Sequence, residues 1–345
     1  MTKLNYSTRV WTIPAIAVLL LLSIAGFYSC QKNKTTAEAE PVAELKINGS
    51  DRLYSVANVY YTKDGKSVEA WFFESPQIFE FSATGKNAKA NFEVLKSAKE
   101  NNVPVNLRLV SKTKTLVDVV IPSTEEQRAT FKAAMAKREM ATAVPSPEEV
   151  AQSGTSSLTA VVPSMAVLNT IFNKIKNDCC TLPGPYTYGQ CIPFQYVADG
   201  CYARAHKMRQ IIESFYGYTS YKVFNYACNQ SNTLAVSATL WGNNCCVRWW
   251  YHVASYVYVQ VGASQVAYLL DPAMFTGPVT IATWLNAQKN VGCGYPGTAH
   301  NQVYYSSNAY VPSSISNCVM TPTADNTYTA ANATCSAYSG WFGCF

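Results

Sequence analysis

The chain has 345 residues, twelve cysteines and a formal net charge of +6 at pH 7. A chain of this length is long enough for two or three domains. The charge is modest and the basic residues form no dense patch with interleaved aromatic residues, which excludes nucleic acid as a partner. We expect neither a metal ion nor a cofactor.

Residues 1–30 are predicted to be an export signal. A short basic segment precedes an apolar run over residues 10–26, which is too short for a typical membrane span. The run ends just before Cys30 in a pattern similar to the cleavage site of bacterial lipoproteins, so Cys30 is a candidate for lipidation. Phe27 and Tyr28 depart from that pattern and leave ordinary signal-peptide cleavage open. Under both interpretations the protein is exported.

The composition of the exported part changes near residue 157. Residues 31–157 contain 17 basic and 16 acidic residues and no cysteine. Residues 158–345 contain only eight basic and five acidic residues, but eleven cysteines and eighteen tyrosines. We therefore predict two domains, 31–139 and 158–345. The small, polar, proline-containing segment between them, residues 140–157, is predicted to be an exposed linker and a natural protease site.

The first domain is expected to be a small α+β domain able to fold alone. Alternating apolar patterns predict strands over residues 53–61, 67–73, 77–81 and 105–121. Helical patterns predict helices over residues 87–100 and 125–140, the second of which is capped by Ser123. The domain has no histidine, no cysteine and no cluster of carboxylates, so we expect no catalytic residue in it.

In the second domain, one amphipathic helix is expected to follow Ser164 and another to begin at Cys201, after a turn at Gly200. Beyond Asp271 we expect mostly loops. Strand patterns lie between these parts, over residues 220–226, 233–241, 246–261 and 265–270.

Eleven cysteines in an exported domain predict disulfide bonds, and an odd number leaves at least one thiol unpaired. Five bridges and one free thiol are the simplest arrangement. The free thiol is incidental, bridges two chains, or is functional, and the functional candidate is Cys201. The candidates for disulfide bonds are Cys179, Cys180, Cys191, Cys228, Cys245, Cys246, Cys293, Cys318, Cys335 and Cys344.

Cys201 is placed by this pattern in the first turn of a helix. The helix dipole and the unpaired N–H groups there stabilise a thiolate, which is the nucleophilic form of cysteine. Taken alone, a cysteine in such a chain is more often a disulfide partner. A catalytic assignment therefore needs a base beside it.

Three histidines are available as the base. His206 lies five residues past Cys201 on the same helix and is expected on the surface or in packing, and His300 lies in a loop expected to be exposed. His252 lies in a buried-strand pattern, where a histidine is ordinarily a core residue. Asp271 ends the next strand, so the two side chains would be neighbours on antiparallel strands, and the carboxylate would fix the imidazole tautomer. Asp271 would also suit a turn-capping role.

The segment 197–209, Val-Ala-Asp-Gly-Cys-Tyr-Ala-Arg-Ala-His-Lys-Met-Arg, resembles the nucleophile segment of the bacterial protein-glutaminases. The similarity covers most of residues 158–345, with further matching segments at 158–163, 167–176, 245–254, 269–279 and 344–345. The family deamidates glutamine side chains within proteins and peptides, and its members are made as precursors whose pro-region blocks the active site. The segments 179–191 and 221–244 match poorly, which leaves the substrate preference open.

The resemblance implies an α+β fold: a transglutaminase- or papain-like cysteine hydrolase core, with a helix-borne cysteine against an antiparallel sheet, preceded by a small α+β pro-domain. It implies that Cys201 is the nucleophile, His252 the general base and acid, and Asp271 its orienting partner. The backbone N–H of Cys201 would serve the oxyanion hole. The start of the mature enzyme would follow a cut between Ser157 and Leu158.

The expected function is that of a secreted, monomeric protein-glutamine glutaminase. Its partners would be glutamine-containing proteins and peptides, its own pro-domain as an intramolecular inhibitor, and an activating protease. The precursor would be anchored to the membrane if Cys30 is lipidated. A transglutaminase or a cysteine protease would use the same three residues. A disulfide-rich exported binding module is the non-enzyme alternative, and it predicts that Cys201 is bridged.

Overall fold

The computed structural model describes residues 52–110, 115–153, 160–178, 191–341 and 343–344, all within one structural unit, Val42–Phe345. The predictions for the export signal with Cys30, for the cut between Ser157 and Leu158, and for Cys179 and Cys180 concern residues outside these ranges. Within the ranges, no helix is both long and apolar enough to cross a membrane.

The N-terminal region, which we define as residues 52–139, consists of three antiparallel strands, a helix that packs on them, a hairpin and a second helix. Phe72, Phe79 and Leu95 belong to an apolar core of its own. The elements are β1 (Val56–Tyr61), β2 (Ser67–Phe72), β3 (Ser75–Ser82), α1 (Ala88–Glu100), β4 (Val105–Leu109), β5 (Val117–Pro122) and α2 (Glu125–Ala136), and α3 (Pro147–Ser153) follows in the linker.

Two predictions for this region need correction. The single strand expected over residues 105–121 is the antiparallel pair β4 and β5, because a polar stretch interrupts the apolar alternation between them. The cap of α2 is Thr124 rather than Ser123. The Thr124 side chain accepts a hydrogen bond from the Gln127 N–H, and the Gln127 side chain accepts one from the Thr124 N–H. This reciprocal capping box places the cap one residue later than predicted, directly before the predicted helix start at residue 125.

The C-terminal region, which we define as residues 160–344, contains more regular structure than its sequence suggests. The expectation that the chain beyond Asp271 is mostly loops is wrong, since four strands and two helices follow it. The elements are α4 (Met165–Asp178), α5 (Cys201–Gln210), β6 (Tyr221–Tyr226), β7 (Leu234–Ala238), β8 (Cys245–Trp249), β9 (Tyr251–Val261), β10 (Ser264–Leu270), β11 (Val279–Thr280), α6 (Ile281–Ala287), β12 (Asn301–Ser306), β13 (Ala309–Ser316), β14 (Val319–Ala324) and α7 (Thr329–Ala337).

The strands form two five-stranded antiparallel sheets. Sheet A has the order β1-β2-β3-β8-β7 and sheet B the order β11-β10-β9-β6-β12. Sheet A is therefore shared, because β3 of the N-terminal region pairs with β8 at Gln77 and Trp249. The single strand expected over residues 246–261 breaks at Trp250, where the chain leaves sheet A and enters sheet B. The Trp250 N–H bonds to the Pro76 carbonyl, 3.0 Å away, instead of continuing one ladder.

Helix α5 is buried on all sides against β9, α7 and β13. This corrects the expectation of an amphipathic helix, since tertiary packing covers the side that its sequence pattern would expose, and of the two positions expected for His206 it selects packing. The amphipathic helix expected after Ser164 is α4, and the residues of its apolar face, Leu168, Ile171 and Ile175, lie fully buried in the main core. The nucleophile helix is thus a central element of the core rather than a surface helix.

Disulfide bonds join Cys228 to Cys318, Cys245 to Cys344 and Cys246 to Cys293. The adjacent Cys245 and Cys246 bond to distant partners, as their geometry requires. Cys191 is also disulfide-bonded.

The assignment of Cys335 to a disulfide is wrong. It carries a thiol and lies fully buried in α7. A buried cysteine of this kind packs as a small apolar side chain. Cys201 is the other thiol among the described residues, so the expected arrangement of five bridges and one thiol fails at Cys335.

The turn before α5 generates a testable prediction. Gly200 has φ +77°, and a Cβ there would lie 2.9 Å from the Tyr338 ring, whereas Gly262 has φ +59° with open space around it. We expect Gly200→Ala to lower the free energy of unfolding of the full chain by about 2–4 kcal/mol, because left-handed strain and a steric clash add. Gly262→Ala, the matched control, carries the strain alone and should cost about 1 kcal/mol. Urea unfolding measures both, and equal costs would show that Tyr338 moves aside without penalty.

Candidate active site

Cys201 is the first residue of α5, directly after the left-handed Gly200. Its thiol is not in a disulfide and is 2% exposed. The first N–H groups of a helix have no acceptor within the helix, and the positive end of the dipole lies there. The predicted position at a helix N-terminus is therefore where the structure places Cys201.

His252 and Asp271 lie on neighbouring strands and touch. His252 is on β9, and Asp271 directly follows β10, which pairs with β9. The His252 Nε2 and the Asp271 Oδ2 atoms are 2.8 Å apart, and both side chains are buried. A carboxylate accepts this hydrogen bond, so Nε2 carries a proton and Nδ1 is the ring nitrogen with a free lone pair.

Two tryptophans, which the sequence analysis missed, fix the imidazole further. The Trp284 Nε1–H donates to the same Asp271 oxygen at 3.0 Å. The rings of Trp249 and Trp284 stack on His252, with centroids 4.3 and 5.4 Å from that of the imidazole. The aromatic run before His252 was visible in the sequence, but nothing there indicated which ring would face the histidine. The stacked rings leave the imidazole little freedom to rotate.

The sulfur of Cys201 lies against the strand that carries the histidine. The backbone N–H of Val253, the residue after His252, lies close enough to this sulfur to oppose the rise in the pKa of the thiol. The buried His252 Nδ1 atom makes no hydrogen bond to any described residue. The structure thus brings a thiol and an imidazole with an available lone pair to the same point of β9.

Burial dominates the electrostatics of the site. It raises the pKa of the Cys201 thiol to about 12, against the opposing effects of the Arg204 charge and the Val253 N–H. It also lowers the pKa of His252, although Asp271 acts in the opposite direction. Burial alone would raise the pKa of Asp271, but the charge and hydrogen bond of His252 hold it below its usual value. Burial thus favours the neutral forms of the Cys201 thiol and the His252 imidazole.

The N-terminal region packs against the segments next to Cys201 and His252. The Trp250 Nε1–H donates to the Ser75 carbonyl at 2.8 Å, and the Trp71 ring stacks on that of Trp250 with centroids 5.8 Å apart. The Ser75 hydroxyl donates to Asp199 Oδ2 at 2.9 Å, two residues before Cys201. The turn between β2 and β3 therefore covers the segment that carries the nucleophile.

The two other histidines lie apart from this group. His206 is fully buried, and its ring nitrogens contact the Thr327 carbonyl at 2.7 Å and Lys222 Nζ at 3.0 Å. His300 was expected in an exposed loop but is 7% exposed, and its Nδ1 contacts Asn225 at 3.0 Å. His206 is buried because later parts of the chain, including Tyr310 and Tyr328, pack over it, whereas His300 packs against the earlier residues Asn225 and Tyr295.

The comparisons with known proteins agree with this geometry. A family model described as Glutaminase matches residues 168–288, a range that includes Cys201, His252 and Asp271. A crystal structure of pro-protein-glutaminase matches this chain with 29% sequence identity and a TM-score of 0.62. The match covers 85% of this chain and 93% of the pro-protein-glutaminase chain. A crystal structure of its A47Q2 mutant has the same coverage and TM-score at 28% identity. The NMR structure of protein-glutaminase from Chryseobacterium proteolyticum is 35% identical over 54% of this chain and 93% of that chain, with a TM-score of 0.43. No curated protein matches the chain.

The fold and its matches define an α+β cysteine-hydrolase class with a transglutaminase-like core. The chain belongs to the protein-glutaminase family and is an enzyme of that family in precursor form. The resemblance found in the sequence is thereby confirmed.

The burial of Cys201 predicts how its thiol reacts. With a pKa of about 12, roughly one molecule in ten thousand carries the thiolate at pH 8. Iodoacetamide should therefore label Cys201 in the full chain very slowly, with a rate that rises about tenfold per pH unit. After removal of the N-terminal region, labelling at pH 8 should be at least about a hundredfold faster, because water reaches the sulfur. Peptide mass spectrometry locates the label, and Cys201→Ala reports labelling of other thiols. Equal rates before and after removal would contradict this account.

Proposed function

We propose that this protein hydrolyses the side-chain amide of protein-bound glutamine, giving glutamate and ammonia through a thioester on Cys201. The observation that carries the proposal is the 2.8 Å contact between His252 Nε2 and Asp271 Oδ2, on the strand whose Val253 N–H acts on the Cys201 thiol. A base held in one tautomer beside a thiol at a helix start is the arrangement that acyl transfer requires.

The first half of the reaction forms the thioester. His252 Nδ1 takes the thiol proton as the sulfur attacks the carboxamide carbon. The resulting oxyanion accepts a hydrogen bond from the Cys201 backbone N–H, which no helical carbonyl engages. His252 then gives the proton to the departing nitrogen, and ammonia leaves. Asp271 stabilises the imidazolium in between without taking its proton.

The second half consumes water. His252 Nδ1 accepts a proton from a water molecule as its oxygen attacks the thioester carbon, and the sulfur leaves with that proton. The product is a glutamate side chain in an intact polypeptide. The same thioester would be attacked by a lysine amine in a transglutaminase, so access of water decides between the two reactions.

We propose further that residues 31–139 form a pro-region that keeps the enzyme inactive. Its β3 strand completes sheet A, and its β2–β3 turn hydrogen-bonds to Trp250 and Asp199. Glu69 adds a 3.3 Å ion pair with Arg248. These contacts bury Cys201 and hold its pKa far above the pH at which the enzyme would work.

Export and processing complete the proposal. Residues 1–30 would direct the chain out of the cell, lipidation of Cys30 would anchor the precursor, and a protease would cut between Ser157 and Leu158 to release a monomeric, secreted enzyme. The linker before this cut is itself bound to the C-terminal region. The Ala141 N–H bonds to the Pro322 carbonyl at 3.1 Å, and the Val144 N–H to the Tyr304 carbonyl at 3.0 Å.

Substitution of the three residues tests the proposed mechanism. The processed wild-type enzyme should release ammonia from a glutamine-containing protein and convert glutamine to glutamate in an uncut chain. Cys201→Ala and His252→Ala should abolish this activity, and Asp271→Asn should lower kcat by about 10²–10⁴, because the imidazole loses its fixed tautomer. Cys335→Ala removes the other buried thiol and is the control that should retain kcat. Ammonia release and peptide mass spectrometry are the measurements, and crosslinked or cleaved products would overturn the assignment.

The bound linker and pro-region generate a prediction about activation. A cut between Ser157 and Leu158 alone should leave activity at the level of the full chain, because the β3–β8 pairing and the contacts of Trp250 persist. Activity should rise only when the N-terminal region is degraded or separated. Ammonia assays on nicked chains, before and after size-exclusion chromatography under mild denaturant, distinguish these states. Full activity of the nicked, unseparated form would show that the cut itself activates.

A further inference from the structure

Arg52 of the N-terminal region places its guanidinium in a polar recess of the C-terminal region. The Nη1 atom donates to the Tyr338 hydroxyl at 2.8 Å and lies 3.5 Å from Asp199 Oδ2. The Nη2 atom donates to the Tyr202 hydroxyl at 3.1 Å. The side chain is 13% exposed, so this contact lies inside the interface rather than at its rim.

The three residues that receive Arg52 form a built site. Asp199, Tyr202 and Tyr338 are 2%, 4% and 1% exposed. The Tyr338 hydroxyl accepts from Arg52 and donates its own proton to Asp199 Oδ2 at 2.7 Å, which fixes the direction in which its lone pairs point. The arrangement offers a carboxylate and two phenolic oxygens to a planar, multidentate cation.

Removal of the N-terminal region leaves this recess without its cation. Arg52 and Ser75 both belong to that region, and both contact Asp199 Oδ2. The carboxylate then keeps the Tyr338 hydroxyl and, at Oδ1, the Gly200 N–H at 2.6 Å. A buried carboxylate without a counter-charge has an unfavourable desolvation free energy. A cation that binds in place of Arg52 offsets much of this free energy, which favours its binding.

The recess lies next to the nucleophile. Asp199 is two residues before Cys201 and Tyr202 is the residue after it. The Asp199 charge acts on the Cys201 thiol, so the recess lies within reach of residues that flank a glutamine presented to Cys201. We propose that Asp199, Tyr202 and Tyr338 form a subsite of the mature enzyme that binds the guanidinium of an arginine near the target glutamine. This inference rests on the proposed glutaminase function and names its substrate class.

Arginine fits the recess better than lysine. In the precursor two different nitrogens of Arg52 serve two different hydroxyls, and the carboxylate lies beside them. A guanidinium presents several N–H donors in one plane, whereas an ammonium is a single point of charge. Within its own region Arg52 is held by the Glu74 carbonyl at 2.5 Å and by the Tyr54 ring, so its guanidinium is already oriented for the recess.

Peptide pairs that differ only in this charge test the subsite. The enzyme is the full chain after processing and separation of the N-terminal region. Each pair carries one glutamine and, at one flanking position at a time, either arginine or its neutral isostere citrulline. We expect kcat/KM to be at least about tenfold higher for the arginine peptide at one or more positions, mainly through KM. A ratio of one at every position would overturn the subsite.

Substitutions locate the effect. Asp199→Asn should lower kcat/KM for the arginine peptide by at least about tenfold more than for the citrulline peptide. Asp325→Asn removes another carboxylate of the C-terminal region, which contacts Thr327 instead, and should keep the arginine preference. An equal loss on both peptides in Asp199→Asn would assign Asp199 a role in the fold or in binding the substrate backbone, and would overturn the proposal. If Asp199→Asn does not fold, Tyr338→Phe, which removes one acceptor of the guanidinium, takes its place.

A binding measurement separates this inference from the proposed function. Calorimetry with processed Cys201→Ala requires no turnover, and the arginine peptide should bind at least about tenfold more tightly than its citrulline twin. Equal affinities would refute the subsite even if both peptides are deamidated by the wild-type enzyme. Preferential binding without deamidation of any peptide would refute the glutaminase function and leave the subsite standing.

Discussion

The indole of Trp249 links the segment before Cys201 to His252, and the geometry of the candidate site depends on that link. Its Nε1–H donates to the Ala198 carbonyl at 2.9 Å, and its ring stacks on His252 with an interplanar angle of 11°. Arg204 holds the same segment, because its Nη1 donates to the carbonyls of Tyr196 and Asp199 at 2.7 and 2.5 Å. The loop before Cys201 is thus fixed at three carbonyls. A displacement of about 1 Å between reacting groups can cost about a hundredfold in rate, which explains why so much of the core serves this alignment.

Burial sets the chemistry on both sides of helix α5. On one side it raises the pKa of Cys201 and lowers that of His252. On the other side it lowers the pKa of Lys222 and that of His206, and Lys222 donates to the Ala309 carbonyl as well as to His206. Burial of polar groups is tolerable only where hydrogen bonds compensate for lost water. Burial therefore favours the neutral forms of Cys201, His252, His206 and Lys222 around this helix.

The elements of the site that depend on local sequence patterns were predictable. The features that depend on contacts between distant parts of the chain were not. The helix that starts at Cys201 and the strands that bear His252 and Asp271 follow from periodicity over short windows. The break at Trp250 does not, because it depends on the carbonyl of Pro76, which lies far away in sequence. His206 faces inward for a similar reason, since β13 and α7 cover it. Cys335 could not be recognised as a thiol because pairing depends on three-dimensional distances that spacing does not encode.

The covalent linker strengthens the binding of the N-terminal region to the candidate site. A linked partner is present at an effective concentration in the millimolar range, so even modest contacts keep it bound. The contacts here are more than modest: a shared sheet, the Trp71–Trp250 stack, and Arg52 and Ser75 on one carboxylate. Cutting the linker removes the tether but none of these contacts. Release therefore depends on how readily the N-terminal region unfolds, and a region with its own small core is easier to unfold than the disulfide-linked domain it covers. In the proposed activation, degradation of the N-terminal region would make the step irreversible.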